Sequence, residues 1–223
     1  MEPDFWHERW DKDQIGFHQT EINPYLCKYF SVLHAPEHSE ILVPLCGKSR
    51  DLLWLSEQGH PVTGVEINQK AVRAFFAENR ISFEQRNLKD FILFEGGIAK
   101  IYCGDFFAFR TTVNRRWRYC YDRASLIALP PSMRGAYARE IAALLEPGAQ
   151  SLLITLEYDQ SEMNGPPFSV LEREVREHFE ADFTVRRLET ANVLGENLRF
   201  KEKGLTGLLE VSYHLTRIAA TKN

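Results

Sequence analysis

Residues 43–51 read Val-Pro-Leu-Cys-Gly-Lys-Ser-Arg-Asp, and Gly47-Lys48-Ser49 is the ending of a phosphate-gripping loop. Such a loop needs G-x-x-x-x-G-K-[ST], because its first glycine lets several backbone N–H groups turn toward phosphates. That glycine would fall at position 42, which is Leu42 inside an apolar run. The dinucleotide fingerprint G-x-G-x-x-G fails as well, since only Gly47 is present. Glu66, however, stands 19 residues after Gly47. An acidic residue about 20 positions past a glycine turn is the one that accepts hydrogen bonds from ribose hydroxyls. A turn this sparse in glycine, followed by that carboxylate, suits an adenosine that has a ribose to grip and no pyrophosphate to approach. S-adenosylmethionine is such a ligand.

These residues must be held by regular elements, and the sequence supplies them in a strand-then-helix rhythm. "EILVPL" is a short continuous apolar run, the pattern of a strand buried on both faces. Ser49 is placed to cap the next helix, with Asp51 in its first turn and Gly59 stopping it. "PVTGVEI" reads as a second strand. Asn68 caps a second helix, whose Ala71, Val72, Phe75 and Phe76 make an apolar stripe. From Ile81 to Phe109 the pattern becomes short strands and turns, and Asn87 to Lys100 looks like an insertion.

"RYCYDRASL" reads as a strand running into a loop. Pro130-Pro131-Ser132 then opens a helix with Tyr137, Ile141 and Leu144 inward, ended by Pro147-Gly148. "SLLITLEY" is another buried strand, and Ser169 with Glu172 reads as a capping box. Near the end, Leu209, Val211, Tyr213 and Leu215 alternate with polar residues, as in a half-exposed antiparallel strand paired with "DFTVRRLE". The expected fold is therefore α/β, with a mostly parallel sheet, a C-terminal antiparallel hairpin and helices on both faces. Ligands of such sheets lie beyond the carboxyl ends of the strands. That directs attention to Pro44–Ser49, Glu66, Gly104-Asp105 and Asp122-Arg123.

Before the first strand, "INPYLCKYFSVL" reads as a short helix, and a boundary at about residue 38 follows. The expected organisation is an N-terminal segment, 1–37, and a main domain, 38–223. The 223 residues are 44% hydrophobic with a net charge of -4, acidic and basic side chains interleaved. This speaks against a nucleic-acid binder, which would show a basic stripe. No apolar run approaches the ~20 residues needed to cross a bilayer. Four scattered cysteines form no C-x-x-C pair and no zinc pattern, so the expectation is a cytoplasmic protein with free thiols and no metal.

The sequence resembles the thiopurine S-methyltransferase family in its bacterial form. The resemblance rests on "FWHERWDKDQIGFHQ" (Phe5–Gln19), "PLCGKSRDLLWLSEQGHPVTGVEIN" (Pro44–Asn68), "YDRASLIALPP" (Tyr121–Pro131) and "GPPFSV" (Gly165–Val170). These segments span most of the chain in the expected order. The resemblance implies a Rossmann-like class I S-adenosylmethionine-dependent methyltransferase sheet covered by the N-terminal segment. It also implies a monomer that moves a methyl to the sulfur of thiopurines or other aromatic and heterocyclic thiols, with selenium or tellurium compounds as further acceptors, and that releases S-adenosylhomocysteine.

Carried over residue by residue, the resemblance makes Leu45 and Gly47 cofactor contacts and Glu66 the ribose ligand. By spacing alone Leu45 is a core leucine. Trp6 and Trp10, four apart, share one face of any helix there. They either pin the segment or wall a sulfonium by cation–π attraction, and the resemblance selects Trp10 for the cofactor. Asp105 would accept from the adenine amino group while Phe106 packs on the ring. Arg123 would orient cofactor and acceptor, unless it only forms an ion pair with Asp122. Phe17, Pro167 and Phe168 would contact the acceptor, and His18 is a structural hydrogen-bonder or a base. No general base is assigned. Two rival readings stay open: a nucleotide-binding module using Gly47-Lys48-Ser49, and a catalytically silent cofactor-binding regulator.

Overall fold

A computed structural model describes residues 3–15, 18–97 and 99–219. Three helical pieces precede the sheet: α1 (Pro3–Asp11), α2 (Pro24–Tyr29) and a 3-10 turn over Phe30–Leu33. Asn23 accepts from the amides of Tyr25 and Leu26, which caps α2. The chain then alternates through β1 (Ile41–Val43), α3 (Arg50–Glu57), β2 (Val62–Glu66) and α4 (Gln69–Glu78). The expected caps are in place: Ser49 accepts from the amide of Asp51, and Asn68 from those of Lys70 and Ala71.

Three strands follow, β3 (Glu84–Asn87), β4 (Ile92–Gly96) and β5 (Ala99–Cys103), then α5 (Phe106–Val113) and β6 (Trp117–Arg123). The short α6 (Ser125–Ala128) and the long α7 (Pro131–Leu144) lead into β7 (Leu145–Glu157). The chain closes with α8 (Glu172–Phe179), β8 (Phe183–Asn192), α9 (Leu198–Glu202) and β9 (Leu209–Arg217).

Among the described residues, nine strands form one sheet in the order β3-β4-β5-β2-β1-β6-β7-β9-β8. Its centre, β5-β2-β1-β6-β7, is parallel. Both flanks are antiparallel: β7-β9-β8 on one side, as expected, and β5-β4-β3 on the other. The insertion-like stretch Asn87 to Lys100 holds β4 of the second flank and overlaps the ends of β3 and β5. Its outermost strand, β3, has all four side chains exposed. Each face of the sheet carries its own core. Helices α3 and α4 bury Leu52, Leu55, Val72, Phe75 and Phe76 on one face. On the other, α5, α7 and α8 bury Phe109, Tyr137, Ile141, Val175 and Phe179.

Two local expectations are corrected. Ser169 does not cap α8, because its hydroxyl accepts the amide of Tyr158; Leu171 occupies the cap position without a side-chain bond. The end of α7 comes at Leu144, before Pro147-Gly148, since Leu145 already pairs with Trp117 in the sheet. Among the described residues, no helix is long and apolar enough to cross a membrane.

Candidate active site

A cavity of about 220 Å³ opens beyond the carboxyl ends of β1, β2 and β6. The turn after β1 forms its floor and is the structure's answer to the glycine question. Leu45 and Gly47 both take left-handed backbone conformations, φ 44° and 55°. A β-carbon on Gly47 would sit 3.6 Å from the Trp10 ring, an ordinary contact, so the glycine is required by its backbone angle rather than by crowding.

Glu66 closes β2 and is only 6% exposed. One carboxylate oxygen accepts the amide of Gly47 at 2.8 Å, and the other accepts the amide of Asn68 at 2.8 Å. A single side chain thereby joins the loops that follow β1 and β2. An ionised carboxylate has about four lone-pair sites, so these amides do not use up its capacity to accept. Burial raises this carboxyl to about 6, against the lowering effect of the backbone amides of Asn68, Gly47 and Ile67. The neighbouring Cys46 thiol also lines the cavity. Burial, and then the Glu66 charge, push it well above the ordinary thiol range, so it stays protonated.

The α1 helix roofs the cavity with Phe5, Trp6, Arg9 and Trp10. The position of α1 is fixed from below. Lys70 donates to the carbonyl of Trp10 at 2.8 Å, and the side chains of His7 and Asn68 meet at 3.1 Å. Trp10 is buried, at 4% exposure.

Arg123, at the end of β6, is the cationic wall. It faces Asp51 at 3.8 Å and does not pair with its neighbour Asp122. Successive residues of a strand point to opposite faces, and Asp122 accepts instead from the Tyr137 hydroxyl at 2.7 Å on the far side. Asp51, expected only as an acid in the first turn of a helix, is a buried hub. It accepts from the Asn23 amide at 2.8 Å and from the Tyr121 hydroxyl at 2.9 Å. Ile127, Ala128, Pro166 and Pro167 also line the cavity.

Not every expected residue reaches the cavity. Asp105 is exposed and caps α5, accepting the amide of Phe107 at 3.0 Å. Phe106 is core, packed on Tyr137 with ring centroids 5.1 Å apart. Phe168 does not line the cavity, and its ring lies under Arg134. Phe17 is outside the described residues. His18 does line the cavity, and burial followed by the Lys48 charge holds its pKa below the usual range, so the imidazole is neutral near pH 7.

Sequence reasoning missed α9, whose Arg199 and Phe200 line the cavity, together with Lys203 just beyond it. The Arg199 guanidinium has its pKa lowered by burial and then by the Arg123 charge, which places two cations at one mouth. The signal was a basic–aromatic cluster in "NLRFKEKG", too short for its periodicity to be read.

The family model for thiopurine S-methyltransferase matches residues 1–218. The chain belongs to the thiopurine S-methyltransferase family. It is 45% identical over 215 residues to the thiopurine S-methyltransferase of Pseudomonas fluorescens strain SBW25, covering 96% of this chain and 99% of that one. It is 47% identical over 217 residues to the one from Azotobacter vinelandii, covering 97% and 100%. Membership of this family makes the chain an S-adenosylmethionine-dependent methyltransferase.

Solved structures agree on the fold. A Burkholderia thailandensis 1,6-didemethyltoxoflavin-N1-methyltransferase, with its acceptor and S-adenosylhomocysteine bound, superposes with a TM-score of 0.66 at 17% identity, over 97% of this chain and 87% of that one. An S-adenosylmethionine-dependent methyltransferase from Methanosarcina mazei gives 0.63 at 17% identity, over 90% and 100%.

Proposed function

We propose that this member of the thiopurine S-methyltransferase family methylates the sulfur of small aromatic or heterocyclic thiols, and that its cavity holds S-adenosylmethionine beside the acceptor. The observation that carries this reading is Glu66. It is a buried carboxylate at the end of β2, fastened by two amides to the floor of a cavity whose other wall is Arg123. A residue fixed in this way is preorganised to accept from ribose hydroxyls. The remaining fit is chemical: backbone from Leu45 to Gly47 for the methionyl part, and the indole of Trp10 over the sulfonium. When bound, S-adenosylmethionine supplies an activated methyl group.

The chain's own residues then position and screen. Pro167, with Ile127, Ala128 and Pro166, shapes an apolar slot for the acceptor ring. Arg123, and Arg199 behind it, favour the thiolate over the thiol, because a fixed guanidinium stabilises a nearby anion. Acidic thiols are already substantially ionised near neutral pH, so positioning supplies most of the rate and a dedicated base is not required. Neutral His18 is available to take a proton from a less acidic acceptor. Selenols and tellurium compounds, soft and easily ionised, belong to the same acceptor class. We read residues 1–37 as the cover of the cofactor, a reading supported by α1 roofing the cavity.

Isothermal titration calorimetry with S-adenosylhomocysteine, followed by methyl transfer to a panel of aryl thiols, heterocyclic thiols and selenols, tests the proposal. Saturable heat and a methylated sulfur are expected. Binding without transfer to any acceptor would favour the silent regulator.

A further inference from the structure

We infer that Arg134, which does not line the cavity, is a positioning residue that sets the spacing of the acceptor wall. This rests on the reading of the Pro166-Pro167 side as the place where the acceptor sits. Arg134 is 1% exposed, a charged side chain sealed inside the protein. Its Nε donates to the carbonyl of Leu129 at 2.9 Å, and one Nη donates to the carbonyl of Ser169 at 3.2 Å. The same Nη meets both carboxylate oxygens of Glu174 on α8, at 2.6 and 2.7 Å. The guanidinium also sits 5.7 Å from the centre of the Phe168 ring.

The two carbonyls belong to the two segments that line the acceptor side. Leu129 follows Ile127 and Ala128, and Ser169 follows Pro167 and Phe168. The segments also touch directly, the Phe168 amide donating to the Ile127 carbonyl at 2.7 Å. A planar guanidinium donates along fixed directions, so one that bonds to both carbonyls fixes their separation. Glu174 balances the buried charge and holds the fork in one orientation. A buried ion pair is weak evidence of stability as such, since apolar replacements often do as well. A geometric role explains why one is kept behind this wall.

Removing the clamp should move the wall without unfolding it, because the loop has other anchors. The Tyr158 hydroxyl donates to the carbonyl of Pro167 at 2.6 Å, and the Ser169 amide donates to Gln160 at 2.9 Å. None of the clamp groups touches the Glu66 side of the cavity.

The test uses Arg134→Lys, whose single nitrogen cannot stand at both the Nε and Nη positions from which the two carbonyls are held, and Glu174→Gln, which keeps the guanidinium but frees its orientation. Steady-state kinetics with an aryl thiol and calorimetry with S-adenosylhomocysteine are run on both. Arg134→Lys is expected to raise the acceptor KM at least fivefold, leaving the S-adenosylmethionine KM and the S-adenosylhomocysteine Kd within twofold. Glu174→Gln moves the acceptor KM the same way by less, and decides the question if Arg134→Lys does not fold. An acceptor KM within twofold of the parent overturns the clamp. So does an S-adenosylhomocysteine Kd that rises in step with it, since that would mean general loosening. A parent protein that binds S-adenosylhomocysteine but transfers no methyl overturns the functional reading, and this one with it.

Discussion

Replacing Glu66 by Gln separates the ligand-binding role of this residue from its structural one. Glutamine keeps the shape and one oxygen, and loses the charge. If two ribose hydroxyls bond to the carboxylate, each charge-assisted bond is worth roughly 1.5–3 kcal/mol. Losing one of them weakens S-adenosylhomocysteine about 10- to 150-fold. Stability should change little, because two effects oppose each other. The charged form is disfavoured by burial, and the rise from 4.5 to about 6 corresponds to about 2 kcal/mol that the neutral amide recovers. Against this, the new NH₂ must face the amide of either Gly47 or Asn68, leaving a donor unpaired at a cost of roughly 1–3 kcal/mol.

The pH dependence sharpens the test. With a pKa of about 6, roughly nine-tenths of the carboxyl is ionised at pH 7 and one-tenth at pH 5. The affinity of the parent for S-adenosylhomocysteine should therefore fall about tenfold from pH 7 to pH 5, and Glu66→Gln should flatten that slope. Calorimetry across this range, with thermal unfolding of both proteins, measures all three quantities. A variant that binds within threefold of the parent, or that keeps the parent's slope, would refute the assignment of the ribose to Glu66.

Asp122 gives a prediction about stability. Burial raises its carboxyl from 3.8 to about 6, so the fold favours the protonated form; that stabilisation is complete below about pH 4 and is lost as pH rises through about 6. Asp122→Asn should match the parent near pH 4 in chemical denaturation and exceed it at pH 7, by up to about 3 kcal/mol; equal stability at pH 7 would count against the burial argument. Lys48, in turn, pairs with Glu78 at 2.6 Å, and the turn around it lacks the first phosphate-loop glycine. Magnesium–ATP should produce no saturable heat, and Lys48→Ala should leave S-adenosylhomocysteine affinity within about threefold; tight ATP binding abolished by that substitution would revive the nucleotide reading.

The parallel centre of the sheet was legible because its strands are buried on both faces and its helices carry local punctuation. Ile41–Val43 is an uninterrupted apolar run, and Ser49 and Asn68 cap their helices through bonds to residues two or three positions away. The place of Glu66, at the end of β2 and on the cavity, was legible through its distance from Gly47. What escaped depends on partners remote in sequence or on elements too small for a period. Asp51 looked like an acid favouring a helix start, yet its partners Asn23 and Tyr121 lie 28 and 70 residues away. Glu84–Asn87 has no apolar alternation because it is exposed on every residue. Ser169 had the residue type and spacing of a cap, but the Tyr158 amide, just past the end of β7, claimed its hydroxyl. Asp105 and Phe106 were named through the resemblance, and their local geometry gives them a helix cap and a core contact.

The polar character of β3 bears on what happens between molecules. An open sheet ends in rows of amides and carbonyls that a neighbouring chain can extend, and charged side chains or bulges at the rim discourage such joining. Here one rim consists of Glu84, Gln85, Arg86 and Asn87, and the other, β8, presents Arg186, Arg187 and Glu189 at a break in its pairing register. A stray strand arriving at either border would find charge and a distorted ladder where it needs a flat, greasy template. The polar strand in the middle of the chain thus gives that border the charge that discourages fibre growth.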